Sequence, residues 1–251
     1  MPWKVFFASA AGKNHLDGNA PCQDSGHYRV VHGVFIGVVC DGAGSASDGR
    51  EGADFFATRL TERIAGSVES GQWAALDIEA MRQFLQTAIH AVREQLQAHV
   101  QDSQRSLRDF ACTLVGCVSA RAGGCFFHIG DGYAVYRGDA GSSVLSHPEN
   151  GEYADQTYFV TDEQWREHLR VTPLGAVNRG GLIGLMSDGT SPFAIDRLRT
   201  GFFGPFIDPI VAYLEKIGEA DGNRALLGVL ADEKTHSITT DDKTLLLALA
   251  G

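Results

Sequence analysis

Three apolar runs in the middle of the chain, 110–119 (FACTLVGCVS), 124–129 (GCFFHI) and 133–137 (YAVYR), are separated by only a few residues. A crossover between parallel strands needs a dozen residues or more. Gaps built around Gly123, Gly124, Gly130, Asp131 and Gly132 therefore read as turns of antiparallel hairpins. Strand signals also cover 3–9, 28–40, 181–187 and 244–249, each rich in Val, Ile, Leu or Phe. Between them lie helical patterns. Residues 50–66 place Phe55, Phe56, Leu60 and Ile64 on one face, and 74–100 repeats Ile78, Met81, Leu85, Ala88, Val92 and Leu96 at three- and four-residue steps. Two more helices fill 205–234, while 138–156, rich in Gly, Ser, Asn and acid, reads as a loop. Hairpin-linked strands interleaved with helix pairs define an α+β fold rather than a parallel one. With no repeat and no long linker, residues 1–251 are expected to form a single domain.

Charge narrows the function classes. The chain carries 31 acidic against 21 basic residues, a formal net charge of −10, which disfavours nucleic acid and anionic membrane as partners. No apolar run approaches a membrane span. The apolar part of WKVFFASAAG is also too short for a signal-peptide core, so it reads as a first strand. The five cysteines (Cys22, Cys40, Cys112, Cys117, Cys125) form no CxxC pair and mostly lie in apolar runs, as expected of reduced thiols in a cytoplasmic protein.

The informative residues are aspartates at strand ends. Asp41 follows VFIGVVC, Asp131 follows CFFHIG and Asp188 follows LIGLMS. Asp24 precedes the second strand, and Asp241 and Asp242 precede the last. Asp41, Asp131 and Asp188 are each followed by glycine, which permits a sharp turn and close approach of a ligand. Any one Asp-Gly is equally well a simple turn. Gathered at one edge of a sheet, however, such carboxylates repel one another unless a cation compensates them. An all-oxygen set without paired Cys or HExxH favours Mg²⁺ or Mn²⁺ over zinc.

The ordered series QDS (23–25), VVCDGAGSA (38–46), FACTLVGCV (110–118), IGDGYAVYR (129–137), GLMSDGTSPF (184–193) and TDDKTLLL (240–247) resembles the metal-dependent protein phosphatase 2C family. It is most similar to compact bacterial members, whose first motif reads as a His followed by Cys-Gln-Asp, here GKNHLDGNAPCQDS. The resemblance spans about residues 5–249. It implies a four-layer αββα sandwich of two antiparallel sheets flanked by helix pairs. It also implies two Mn²⁺ or Mg²⁺ ions, with a third as an addition. Asp41 would bridge the two ions and the Gly42 carbonyl would help hold the second. Asp188 and Asp241 would hold the first, making Asp41, Asp188 and Asp241 the catalytic set. Gln23 and Asp24 match the family's acidic pair, which acts through water, and Asp131 matches a ligand of the third ion. Hydroxide shared by the two ions would then attack phosphoserine or phosphothreonine in line, without a phospho-enzyme. The expected protein is a cytoplasmic monomer acting on a phosphoprotein, either a partner serine/threonine kinase or that kinase's targets.

The chain departs from the family at several positions. Ala43 replaces the histidine of DGHG, leaving His15 and His128 as candidate general acids. The phosphate-gripping arginine is missing; Asn19 stands near its place, and Lys13 or His15 would substitute in binding substrate. Gln23 removes one acid near the second ion, and Pro192 replaces a third-ion ligand. Residues 149–170 fall in the family's variable flap, where Tyr153, Tyr158 and Trp165 would touch substrate or lie in a solvated loop with a short helix at 162–169. Two other readings compete: a binding module of the same fold with weak catalysis, and a phosphatase for small phosphate esters. Retention of Asp41, Asp188 and Asp241 favours an enzyme.

Overall fold

The computed structural model describes residues 2–73, 77–101, 104–138, 141–148 and 157–251. In chain order the elements are β1 (Trp3–Ala10), α1 (Lys13–Asp17), β2 (Ser25–Val31), β3 (Val34–Cys40), α2 (Gly49–Glu69) and α3 (Ile78–Val100). A 3-10 turn (Leu107–Phe110) leads to β4 (Leu114–Ala120), β5 (Gly123–Ile129), β6 (Tyr133–Arg137) and β7 (Ser143–Ser146). Next come α4 (Trp165–His168), β8 (Arg170–Leu174), β9 (Leu182–Met186) and α5 (Ser191–Ala194). The chain ends with α6 (Gly204–Leu214), α7 (Glu219–Leu230), α8 (Glu233–His236) and β10 (Lys243–Ala250).

Two five-stranded antiparallel sheets result, ordered β1-β10-β9-β6-β7 and β2-β3-β4-β5-β8. The inner strands β3, β4, β5, β9 and β10 read as nearly unbroken apolar runs because both faces are covered. In β10, Leu245 and Leu247 point to one layer with Phe6, Ile207 and Leu226, while Leu246 and Ala248 point between the sheets to meet Phe35, Val39 and Val115. In β3, Ile36, Val38 and Cys40 pack against Phe56, Leu60 and Leu85 of α2 and α3. Three buried seams thus separate four layers, helices–sheet–sheet–helices, the αββα sandwich expected from the sequence. Phe6 is fully buried, so Phe6→Ala should cost about 3–5 kcal/mol. Chemical denaturation would show this as an earlier midpoint with an unchanged slope.

Several boundaries differ from expectation. Residues 28–40 are two strands, not one. His32 (φ 49°) and Gly33 (φ 79°) form a two-residue turn with positive φ at both positions, the geometry that joins tight hairpins. The run at 110–119 becomes strand only from Leu114, because Ser106 and Asp109 cap a 3-10 turn ahead of it. The third helix starts at Ile78, where the Asp77 side chain accepts from Ala80 N–H at 2.9 Å; residues 74–76 lie outside the described set. The expected loop at 138–156 contains β7, and β8 was not anticipated; both are short edge strands. All five cysteines are free thiols, four buried and Cys22 half-buried.

Candidate active site

The topology brings one end of both sheets together. There β3 and β9 finish, β2 and β10 begin, and β5 turns into β6, so Asp41, Asp188, Asp24, Asp241–Asp242 and Asp131 meet. A cavity of about 330 Å³ opens at this end. Its wall includes Asn14, His15, Gln23, Asp41, Gly42, Asp131, Thr157, Asp188, Asp241 and Asp242.

Each carboxylate is positioned by its own backbone and neighbours. The Asp41 N–H donates to Thr113 Oγ1 at 3.1 Å, and its carbonyl accepts from Thr113 N–H at 2.8 Å. Gly42 continues the link through a β-bridge to Cys112. Ser187 Oγ donates to Asp24 Oδ2 at 2.6 Å and accepts from Thr244 N–H at 3.0 Å, tying β2, β9 and β10 beneath the cavity. Thr157 Oγ1 donates to Asp131 Oδ2 at 2.6 Å. Asp242 is almost buried: its Oδ1 accepts from Gly12 N–H and its Oδ2 from Gln23 N–H, both at 2.6 Å, and Oδ1 also meets His15 Nδ1 at 2.8 Å. Asp241, by contrast, is exposed on the cavity wall.

The electrostatics are those of acids held too close. Asp41 lies within hydrogen-bonding reach of both Asp24 and Asp188; burial, then the charges of those two, pushes its carboxyl well above the usual range. Asp188 is raised to about 6 by burial, with Asp131 and Asp241 adding repulsion. Asp24 is raised to about 7, chiefly by burial. Its Oδ1 and Gln23 Oε1 are buried without a hydrogen-bond donor. Carboxylates facing each other at this range need either a proton or a cation between them.

The donor set is all oxygen and fits hard divalent ions. Among the described residues, no three Asp, Glu, His or Cys side chains close on one point as a single-ion cage would. The acids instead spread along the cavity, so each ion would need backbone carbonyl and water ligands as well. A cation is already present underneath: Lys243 is fully buried, its Nζ is 2.9 Å from His236 Nδ1, and its charge faces Asp242, Asp241 and Asp24.

Not every residue singled out in the sequence reaches the cavity. Lys13 and Asn19 are exposed on and after α1 and do not line it. Asp24 lies below the wall rather than in it. His128 is a core residue of β5, with Nδ1 3.1 Å from Ser146 Oγ. Burial lowers its pKa to about 3, so it is unavailable as a general acid here. Trp165 is buried under Arg93 and Arg166, which rules out substrate contact; Tyr158 stacks on His168 and lines a neighbouring cavity of about 580 Å³. Tyr153 lies outside the described residues. Sequence reasoning missed the supporting hydroxyls of Thr113, Thr157 and Ser187, and the burial of Asp242 and Lys243. Ser187 in SDG and Lys243 in DDKT adjoin residues that were noticed, but neighbouring positions carry no record of which side chain turns inward.

The chain is similar to known proteins along its whole length. Serine/threonine-protein phosphatase 3 of Escherichia coli (strain K12) is 30% identical over 259 aligned positions, covering 99% of each chain. Among solved structures, the serine/threonine phosphatase Stp1 from Staphylococcus aureus superposes with a TM-score of 0.63 at 16% identity, over 100% of this chain and 96% of its own. PppA from Pseudomonas aeruginosa superposes with a TM-score of 0.63 at 18% identity, over 100% and 99%. At such identities these two structures speak to fold alone. The sequence pattern described as protein phosphatase 2C matches residues 11–231, most of the length, and with a full-length relative at 30% identity the chain belongs to the protein phosphatase 2C family.

Proposed function

We propose that the chain is a single-domain Mn²⁺- or Mg²⁺-dependent protein serine/threonine phosphatase. The observation that carries this reading is Asp41, half-buried just past the end of β3 between Asp24 and Asp188 at the base of an open cavity. A carboxylate in that position is strongly disfavoured without a cation and suited to bridging two. Asp188 and Asp241 are assigned to the first ion. The Gly42 carbonyl, with Asp24 acting through water, is assigned to the second, and Asp131 with Asp188 to a weaker third. Bound there, such ions offset charge on the phosphoryl oxygens and acidify water. The chain's own part is to hold the acids apart at fixed spacing, through Thr113, Ser187 and Thr157, and to present His15 at the wall.

The substrate class is phosphoserine or phosphothreonine on a protein, a kinase or its target, taken by a monomer in the cytoplasm. Free thiols fit a reducing compartment. Among the described residues no helix is long and apolar enough to cross a membrane. The test is hydrolysis of p-nitrophenyl phosphate and of a phosphoserine peptide by EDTA-stripped protein at pH 8, titrated with Mn²⁺. Turnover of both that saturates with metal is the expected result. Activity indifferent to EDTA would sink the metal assignment. Turnover of the small ester but of no phosphopeptide would favour a small-ester phosphatase, and metal binding without turnover would favour a binding module.

A further inference from the structure

Cleavage of a phosphoserine ester expels a serine alkoxide, which is too basic to leave readily without a proton. Ala43 supplies none. Among the described residues the cavity wall consists of carboxylates, hydroxyls, amides, one phenyl ring and backbone, and His15 is the one lining residue with a basic side chain. No arginine or lysine joins it there among the described residues.

His15 is also built in. It stands on the short helix α1, which is clamped to the loop before β10: Asn14 N–H donates to the Thr240 carbonyl at 3.2 Å, and Asn14 Nδ2 to Thr240 Oγ1 at 3.2 Å. On the same loop Asp242 meets His15 Nδ1 at 2.8 Å, and two backbone N–H groups, from Gly12 and Gln23, fix that carboxylate from other sides. With its oxygens so engaged, Asp242 is not a metal ligand in the assignment above. A carboxylate on Nδ1 selects the tautomer with hydrogen on that nitrogen. The opposite nitrogen, Nε2, is then the one left to serve the cavity. About a quarter of the side chain, 26%, is open to solvent.

We propose that His15 is the general acid of the reaction and that Asp242 is its positioning residue. This role rests on the phosphatase reading above. As the water oxygen bonds to phosphorus, the bond from phosphorus to the substrate Oγ breaks and its electron pair stays on Oγ. The Nε2 proton goes to that oxygen, giving the serine hydroxyl. The attacking water gives up a proton to solvent, inorganic phosphate leaves, and neutral His15 regains its proton through its exposed edge.

The test uses two substrates that share the phosphoryl group and differ in the leaving oxygen. p-Nitrophenolate is a stable anion that departs unprotonated; a serine alkoxide is not. In metal-loaded His15→Gln, kcat for a phosphoserine peptide should fall by about 10²–10⁴-fold, while kcat for p-nitrophenyl phosphate changes by less than about threefold. Inhibition by inorganic phosphate should be unchanged, and Asp242→Asn should show the same selectivity in milder form. Equal losses on both substrates overturn the role. So does a raised KM, with weaker phosphate inhibition at constant kcat, which would make His15 a phosphate anchor instead. A wild-type protein inactive on both substrates fails earlier and differently, because it removes the phosphatase reading itself.

Discussion

Asp41→Asn is expected to lower metal-dependent turnover by at least about 10³-fold and, in the same protein without metal, to raise the melting temperature. Both effects have one cause. Asp41 is half-buried and crowded between two other acids, so its charge is useful only when a cation faces it. Removing the charge removes the bridge and also the repulsion.

The sign of the pH dependence follows. Asp24 and Asp188 are raised to about 7 and about 6, and Asp41 is raised as well, whereas an unfolded aspartate titrates near 3.9. Between about pH 4 and pH 7 these three acids make the folded state bind more protons than the unfolded one, and stability falls as pH rises; buried His128, lowered to about 3, opposes them by one group below its ordinary imidazole range and is outweighed. Asp109 and Asp196, whose carboxyls are lowered by hydrogen bonds at the surface, lose their contributions only below about pH 4, outside this window. The EDTA-stripped protein should melt about 5–10 °C lower at pH 8 than at pH 5. Added Mn²⁺ should recover most of that loss at pH 8 and little at pH 5, and Asp41→Asn should flatten both trends. Thermal melts across pH, with and without EDTA, measure this directly; a metal-free protein as stable at pH 8 as at pH 5 would contradict the crowded-acid account.

The second large effect concerns the loop carrying Asp241 and Asp242. A Cβ on Gly189 would lie 2.1 Å from the Asp242 carbonyl oxygen, and one on Gly12 would lie 2.3 Å from the Asp241 carbonyl carbon and the Thr240 oxygen. These are backbone atoms that cannot rotate aside. Gly189→Ala or Gly12→Ala must push the loop outward, at a cost of about 1–3 kcal/mol. Because the loop holds Asp241 at the wall and Asp242 against His15, the Mn²⁺ concentration for half activity should rise by about tenfold or more, equivalent to about 1.4 kcal/mol. Gly44→Ala is the control: it lines the same cavity, and a Cβ there meets nothing within 4 Å. If all three variants titrate alike, close backbone approach is not what sets the loop.

Much of this protein is legible in its sequence for specific physical reasons. Strands β4, β5 and β6 show because both faces are buried, which demands continuous apolar side chains and leaves only glycine-rich turns between them. Helix α3 shows because one face packs on a sheet and the other meets water, which writes a helical period into the chain. The weak readings have equally physical causes. Strands β7 (SVLS) and β8 (RVTPL) lie at sheet edges, partly exposed, where neither an apolar run nor strict alternation is required. The His32–Gly33 turn is hidden because apolar strands flank it on both sides without a polar break.

At the site, the residue types and their order along the chain establish a family and an acidic, oxygen-rich centre. Asp241 and Asp242, however, are chemically identical neighbours, and sequence has no means of telling them apart. The structure separates them: one faces the cavity, while the other turns inward to two N–H groups and an imidazole. The same holds for the two histidines considered as acids, since His128 lies within a β-strand core and His15 on a clamped surface helix. The sequence by itself determined which carboxylates exist and which strand ends they close, because burial and turn chemistry act locally. Tertiary structure alone decided which of them face one another and which are engaged elsewhere. That depends on contacts such as His15 with Asp242, 227 residues apart, which only the pairing of the first and last strands brings together.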